Sequence, residues 1–444
     1  MSDATAADDA PPAELGAGDK GGAGMFRSLR VRNYRLYAAG QLVSLTGTWM
    51  QRVAIDWLVL DITHSGSILG LVTMLQFAPS LLLGPFGGLL ADRVSKRRLL
   101  ICTQTGISAC AMLMGLLVLT GLIQLWQVML LATCLGIITA IDAPGRQSFV
   151  VEMVGAGDLQ NAVALNSAIF NSGRLLGPSI GGAVIAGVGT GWAFVGNSVF
   201  TLAVVMALFA MRPAELSAAP LVSRGRGQLS AGMRYVAARR AIWIAVAMSG
   251  IVGIFGQSLQ LISALLARVV FHGDANTYAR LTTALAIGAF LGALAATRRS
   301  GRPTIGQLAR LAFAFGAAEA CVGLMPTSLG ASGLLIVVGF FMITFMTASN
   351  ASVQLGIEPT MRGRVMSIYM MSSMGGSSLG GPLVGRIAQQ YGARAAVMLC
   401  GAVVMVTAIG FGAYARATDG RAGAVVAHDV DPADQPADQP AAAG

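Results

Sequence analysis

Long stretches of this 444-residue chain carry no charge at all. There is none from Ile68 to Ala91, and none between Arg98 and Asp142. A helix of about 20 apolar residues crosses the hydrocarbon core of a bilayer, and a run of that length has no comparable home in a small soluble core. Such runs recur at 36–60, 67–91, 99–120, 126–148, 161–187, 191–211, 241–267, 277–297, 306–325, 330–354, 365–389 and 393–415. The uncharged stretch after Arg98 is divided at Thr120-Gly121, where turn residues interrupt it. Only 11% of residues are charged, against about 25% in soluble domains, while 55% are hydrophobic. The expectation is an all-α polytopic membrane protein with about twelve transmembrane helices.

A net charge of +10 raises nucleic acid as a partner, but the placement of the charges excludes it. Arg27, Arg30, Arg32 and Arg35 precede the first run, and Arg93, Lys96, Arg97 and Arg98 follow the second. Arg224, Arg226, Arg234, Arg239 and Arg240 fill the middle segment. Arg298, Arg299 and Arg302 follow the eighth run, Arg362 and Arg364 the tenth, and Arg416 and Arg421 the last. These are alternate loops, whereas 121–125, 188–191 and 326–330 carry no basic residue. Basic loops are retained on the cytoplasmic side, so both termini are expected there, in a bacterial plasma (inner) membrane. Arg268, Arg386 and Arg394 stand out as exceptions near the other face.

Other chemistries find no footing. Cys102, Cys110, Cys134, Cys321 and Cys400 lie inside apolar runs without metal-ligand spacing, so they read as small core residues. His64, His272 and His428 are scattered, and no Gly-rich loop ends in Lys-Ser/Thr. No cofactor, metal or enzymatic role is expected. Residues 1–25 are polar and small and read as a disordered tail rather than a signal peptide, as does 416–444 with its repeated Pro-Ala-Asp-Gln.

The polar segment 212–240 divides the chain into a 26–211 half and a 241–415 half, and the halves echo each other. Gly177-Pro178 recurs as Gly381-Pro382, an offset of 204 residues that also carries Gly181 to Gly385, Gly84 to Gly288, Phe86 to Phe290 and Gly88 to Gly292. In-order duplication is the arrangement of parallel transporter halves, which bind substrate between them near the midplane. The repeat fails at Asp92 and Arg93, which map to Ala296 and Thr297.

The string Gly88-Leu-Leu-Ala-Asp92-Arg93-Val-Ser-Lys96-Arg97-Arg98 is similar to the loop 2–3 signature of the major facilitator superfamily, and the resemblance covers about 26–415. It implies two pseudo-symmetric six-helix halves, with Gly88, Asp92, Arg93, Arg97 and Arg98 forming a cytoplasmic gate. Asp142, with Arg146 a turn later, stands at the cytoplasmic end of the fourth run as a partner for those arginines. Gly173-Arg174-Leu-Leu-Gly177-Pro178-Ser-Ile-Gly181-Gly182 resembles the fifth-span signature of the drug/proton antiporter branch, which implies export. Glycines every four residues let membrane helices approach closely, and Pro178 favours a bend. Phe26 to Arg35, Gly47-Thr-Trp49-Met-Gln51, Asp142-Ala-Pro-Gly-Arg146 and Asn161 to Ser167 resemble the transmembrane secretion effector branch, which includes enterobactin exporters and macrolide efflux pumps. The membrane-embedded arginine of many drug/proton antiporters is missing from 128–141.

Ionisable residues within the runs are the remaining clue, because each is costly unless paired or functional. Arg52 and Asp56 are four apart and share a helix face, as a proton-responsive pair or as a static one. Arg174 has no evident partner and is a candidate for an anionic substrate group. Glu319, alone on the ninth run, is expected to reach outward to the interface. Gln41, Gln51, Asn166, Asn171, Gln257, Gln260, Asn350 and Gln354 are candidate cavity polar groups, and Phe255, Met370, Met371 and Met374 candidate adaptable apolar contacts. The leading expectation is proton-driven export of a small amphipathic molecule (a drug, macrolide or siderophore) by a monomer in the lipid bilayer. An importer or uniporter, and a non-transporting receptor or assembly partner, are the alternatives.

Overall fold

The computed structural model describes residues 26–217, 228–297, 301–358 and 361–428, and those residues contain helices but no strand. The expected tail at 1–25, the middle loop at 218–227 and Arg298 and Arg299 lie outside the described residues, as do the side chains of Asp92, Gln257 and Met374.

In chain order the helices are α1 Arg32–Thr63, α2 Gly66–Arg93, α3 Lys96–Leu119, α4 Leu125–Val188, α5 Thr190–Ala210 and α6 Gln228–Ala238. They continue as α7 Arg240–Phe255, α8 Leu259–Leu265, α9 Ala275–Thr297, α10 Ile305–Val322, α11 Ser328–Gln354, α12 Arg362–Tyr391 and α13 Ala393–His428. Among the described residues, nine segments have both the length and the hydropathy to cross a bilayer. α1, the later arm of α4 and α12 are as long but more polar, and do not meet both measures.

Four boundaries differ from the sequence reading. The fourth and fifth runs are not joined by a loop: α4 is continuous apart from a break at Gly155, whose φ of 67° suits a residue without Cβ. The seventh run is broken at Gly256, where a 3-10 turn leads into α8 and a π turn at Leu266–Val270. Gly256 is needed there because a Cβ would lie 2.7 Å from the Phe315 ring. The middle segment contains the helix α6, and α13 continues to His428 through an Ala-rich stretch read as disordered from 416.

Glycines set the helix spacing. Gly173, Gly177 and Gly181 of α4 press against Leu45, Trp49 and Met50 of α1. In the second half Gly376 and Gly380 of α12 press in the same way against Gly253 and Ile254 of α7. The packing equivalence therefore runs one residue shorter than the sequence offset. Gly381 and Gly385 do a different job: they meet Gly70 and Gly66 of α2, in the opposite half.

Basic residues on the face where α1 begins hold helix ends. Arg32 and Arg97 donate to the carbonyls of Ala210, Leu208 and Phe209 at the end of α5. Arg240 donates to Tyr414 and Ala415 of α13, and Arg302 to Ser352 of α11. Cations there complement the negative end of the helix dipole. This is called the chain-end face, and the opposite one the distal face.

Candidate functional site

The two halves meet on the distal side. Asp61 of α1 pairs with Arg268 at 2.7 Å, and Arg268 stacks on Trp57 with 4.9 Å to the ring centre. That pair accounts for one exception to the charge pattern. Arg394 accounts for another, donating to the Gly323 carbonyl at the end of α10. The Gly66 amide donates to Gln389 of α12 at 2.8 Å, and the Ser179 and Thr283 hydroxyls bond across the seam at 2.7 Å. Deeper in, Tyr278 of α9 donates its phenolic proton to Asp56 of α1 at 2.6 Å. Asp56 is only 5% exposed. Gln260 of α8 bonds the same carboxylate across the seam. The seam is shut distally by these contacts.

Arg52 and Asp56 do not form the pair their spacing allows. Asp56 turns to Tyr278, and the Arg52 guanidinium lies between two rings, 4.8 Å from the Trp49 centre and 4.9 Å from that of Phe77. Arg174 shares the same indole at 5.6 Å, and Phe170 packs edge-on to it at 5.8 Å. Neither guanidinium is within 4.0 Å of a carboxylate among the described residues. An unpaired arginine at bilayer depth costs about 2.5–3.5 kcal/mol on insertion scales, so two on one ring call for a purpose.

Both arginines face the seam. Arg52 lies one turn below Asp56 on the same face of α1. Arg174 precedes Gly182 by two turns, and a Cβ on Gly182 would lie 2.2 Å from Ala279 of α9. The arginines thus stand just on the chain-end side of the closed contacts. Across from them, α9 continues from Thr283 through Ile287 and Phe290, both exposed, and α12 presents Met370 and Met371, also exposed. One wall is cationic and aromatic and the other apolar, which suits an amphipathic guest.

The remaining candidates divide. Asp142 is fully buried, but its partners are not the arginines after α2. It accepts from Thr103 at 2.7 Å and Gln104 at 2.9 Å, and pairs with Arg146 at 2.8 Å. Arg146 also donates to Gln41 at 3.3 Å, so Gln41 belongs to this network. Gln51 accepts from Asn197 of α5 and is buried away from the seam. Asn166 accepts from Tyr34, Asn171 donates to the Ser167 carbonyl and Asn350 accepts from Gln354. Of the basic cluster, Arg93 is exposed, Lys96 pairs with Glu152 at 2.5 Å, and Arg98 lines a 380 Å³ cavity with Arg97 and Glu152. In this conformation Lys96 and Arg97 bond within their own half.

Glu319 corrects another expectation. It does not reach the interface: it is 0% exposed, at the packed seam of α10 and α13, and neither carboxylate oxygen has a hydrogen-bond partner. A buried polar group without a bond costs about 1–3 kcal/mol. Glu319→Leu is therefore expected to raise the melting temperature of the purified protein with transport intact. A lowered one would assign Glu319 a structural task.

Tyr278, Gln389 and Gly70 escaped the sequence reading. Each acts through a partner more than 200 residues away, and no local pattern marks that pairing. Arg268 did leave a signal, as a cation on the wrong face.

An all-helical bundle of two related halves, shut at one end around buried charges, is the architecture of a secondary transporter. The chain belongs to the transmembrane secretion effector family, whose model matches residues 23–434. These are major facilitator transporters, not enzymes. The chain is 29% identical to the staphyloferrin A transporter of Staphylococcus aureus over 34% of its own length and 38% of that protein. It is 23% identical to the enterobactin exporter EntS of Shigella boydii over 79% of its length and 84% of the exporter. Macrolide efflux protein A of Streptococcus pyogenes is 22% identical over 35% of this chain and 38% of that protein. The first and third matches thus span well under half of those relatives. Among solved structures, a bacterial homolog of the human lysosomal transporter Spinster, inward-facing and occupied, aligns with a TM-score of 0.66 at 17% identity, covering 87% of this chain and 97% of that one. The nucleoside transporter NupG gives 0.66 at 12% identity, covering 86% and 98%.

Proposed function

We propose that this protein exports a small amphipathic molecule in exchange for protons by alternating access. In this reading the 26–211 and 241–415 halves complete twelve spans in one chain, which works as a monomer. The chain-end face is cytoplasmic in a bacterial plasma membrane, so the conformation described is open inward. Staphyloferrin A, enterobactin and macrolide transporters among the relatives support export of such compounds.

The observation that carries the coupling is the Asp56–Tyr278 bond, because a titratable group there ties one half to the other. The groups facing Asp56 are Tyr278 of α9, Arg52 on its own helix and Gln260 of α8. An ionised Asp56 makes a charge-assisted bond and helps hold the distal side shut. A proton on Asp56 removes the charge and loosens that latch. An empty, unprotonated carrier then stays put, which is what obligatory exchange requires. When the distal side opens and the cytoplasmic side closes in its turn, Asp92 and its neighbouring arginines are assigned the gate that the signature implies.

The test uses everted membrane vesicles with an imposed gradient, acidic inside, reported by a quenched dye. Siderophores, macrolides and other drugs are added in turn. Discharge of the gradient by a compound only when the protein is present supports proton-coupled export. Uphill accumulation in the opposite sense, or flux indifferent to the gradient, overturns it.

A further inference from the structure

The two arginines on one indole discriminate among the substrates that an amphipathic exporter serves. We infer that the seam site selects an anion, binding a carboxylate or similar group of an aromatic or apolar molecule at Arg52 and Arg174. This rests on the transporter reading only for where the site opens.

The geometry leaves little else for these groups to do. Arg52 has a ring on each face of its guanidinium, with Trp49 at 4.8 Å and Phe77 at 4.9 Å. A stacked guanidinium keeps its planar fork of N–H donors free at the edge, and that fork matches a carboxylate. Arg174 brings a second fork to the same ring at 5.6 Å. Among the described residues the one carboxylate in the neighbourhood, Asp56, accepts the phenolic proton of Tyr278 and has no ion pair. Two cations against one engaged acid leave the pocket with a net positive charge. The Trp49 and Phe170 rings, 5.8 Å apart, offer an aromatic surface beside the charge, and Phe290 is exposed across the seam. A cationic drug meets two like charges here, so the same pocket rejects it.

The test is a binding measurement on the purified full chain in lipid nanodiscs, by titration calorimetry near neutral pH. Three probes share one aromatic body and differ in charge: 2-naphthoate, neutral 2-naphthamide and cationic 2-naphthylmethylammonium. Charge-assisted hydrogen bonds to the anion predict that naphthoate binds about 10- to 100-fold more tightly than the amide, with the cation weakest. Arg52→Gln or Arg174→Gln is expected to erase most of that preference, and Arg174→Lys to restore part of it. The comparison of probes on the unaltered protein needs no variant, so a variant that fails to fold leaves the result standing. Equal binding of the three, no binding of naphthoate, or preference for the cation overturns the inference. Anion preference without discharge of a pH gradient in vesicles sinks the exporter reading but keeps the site. Gradient-driven export confined to cations does the reverse.

Discussion

Vesicles carrying Asp56→Asn are expected to lose substrate-driven discharge of a pH gradient by more than tenfold. The same variant is expected to retain exchange of labelled substrate when the pH is equal on both sides. Asparagine matches aspartate in size and its amide oxygen still accepts from Tyr278, so the seam is not emptied. What goes is the charge and the capacity to carry a proton. A hydrogen bond to a charged group contributes about 1.5–3 kcal/mol, and a neutral one about 0.5–1.5 kcal/mol. The difference, roughly 1–1.5 kcal/mol, moves a two-state equilibrium about 5- to 13-fold toward the distal-open state. Tyr278→Phe separates the two roles, because it removes the donor and keeps the acid. That variant is expected to dissipate the gradient without substrate. An Asp56→Asn protein that still couples places the proton elsewhere.

The second large effect is steric. A Cβ on Gly70 would lie 2.2 Å from the Gly381 carbonyl oxygen and 2.7 Å from its carbon. These are backbone atoms of a helix in the other half, so no side chain can move aside. Gly70→Val therefore penalises the distal-closed state alone, since the two glycines part when that side opens. Overpacking costs about 1–3 kcal/mol, which shifts the population about 5- to 150-fold toward distal-open. A cysteine introduced at Thr283, which bonds Ser179 in the closed seam, should gain accessibility to a maleimide added from the distal side. Gly84→Val is the control, because a Cβ there meets nothing within 4 Å. Unchanged labelling in Gly70→Val would show that α2 and α12 do not form the closing contact.

Much of this was legible in the chain itself. The uncharged runs gave the helical membrane class, the alternating arginines gave the face that holds them, and the Gly173–Gly177–Gly181 stripe gave a close helix contact. Membrane helices betray themselves by composition because their solvent is apolar. What stayed hidden was pairing. Arg52 and Asp56 have the right spacing for one another, yet a tyrosine from the far half takes the acid and two rings take the base. Asp142 bonds to α3 and to its own next turn rather than to the basic loop. Glu319 is sealed between α10 and α13 rather than extended to water. Spacing states which groups share a face, but only the packing of the halves decides what that face meets. The repeat misled by one residue for the same reason: Gly177 aligns with Gly381 in sequence, whereas Gly380 does its work.

The most direct test of the latch is a distance across the distal seam as a function of pH. Ile62 of α1 and Val269, in the π turn before α9, are exposed on opposite halves and take no part in the bonded contacts. Spin labels at these two positions, on a background without the native cysteines, report the closure by pulsed electron resonance. In the unaltered protein a single short distance at pH 8 should give way, at pH 5.5, to a mixture with a longer one. In Asp56→Asn the mixture should be present at both values. A distance distribution that ignores pH in the unaltered protein, or one that still shifts in Asp56→Asn, would contradict a proton latch at Asp56.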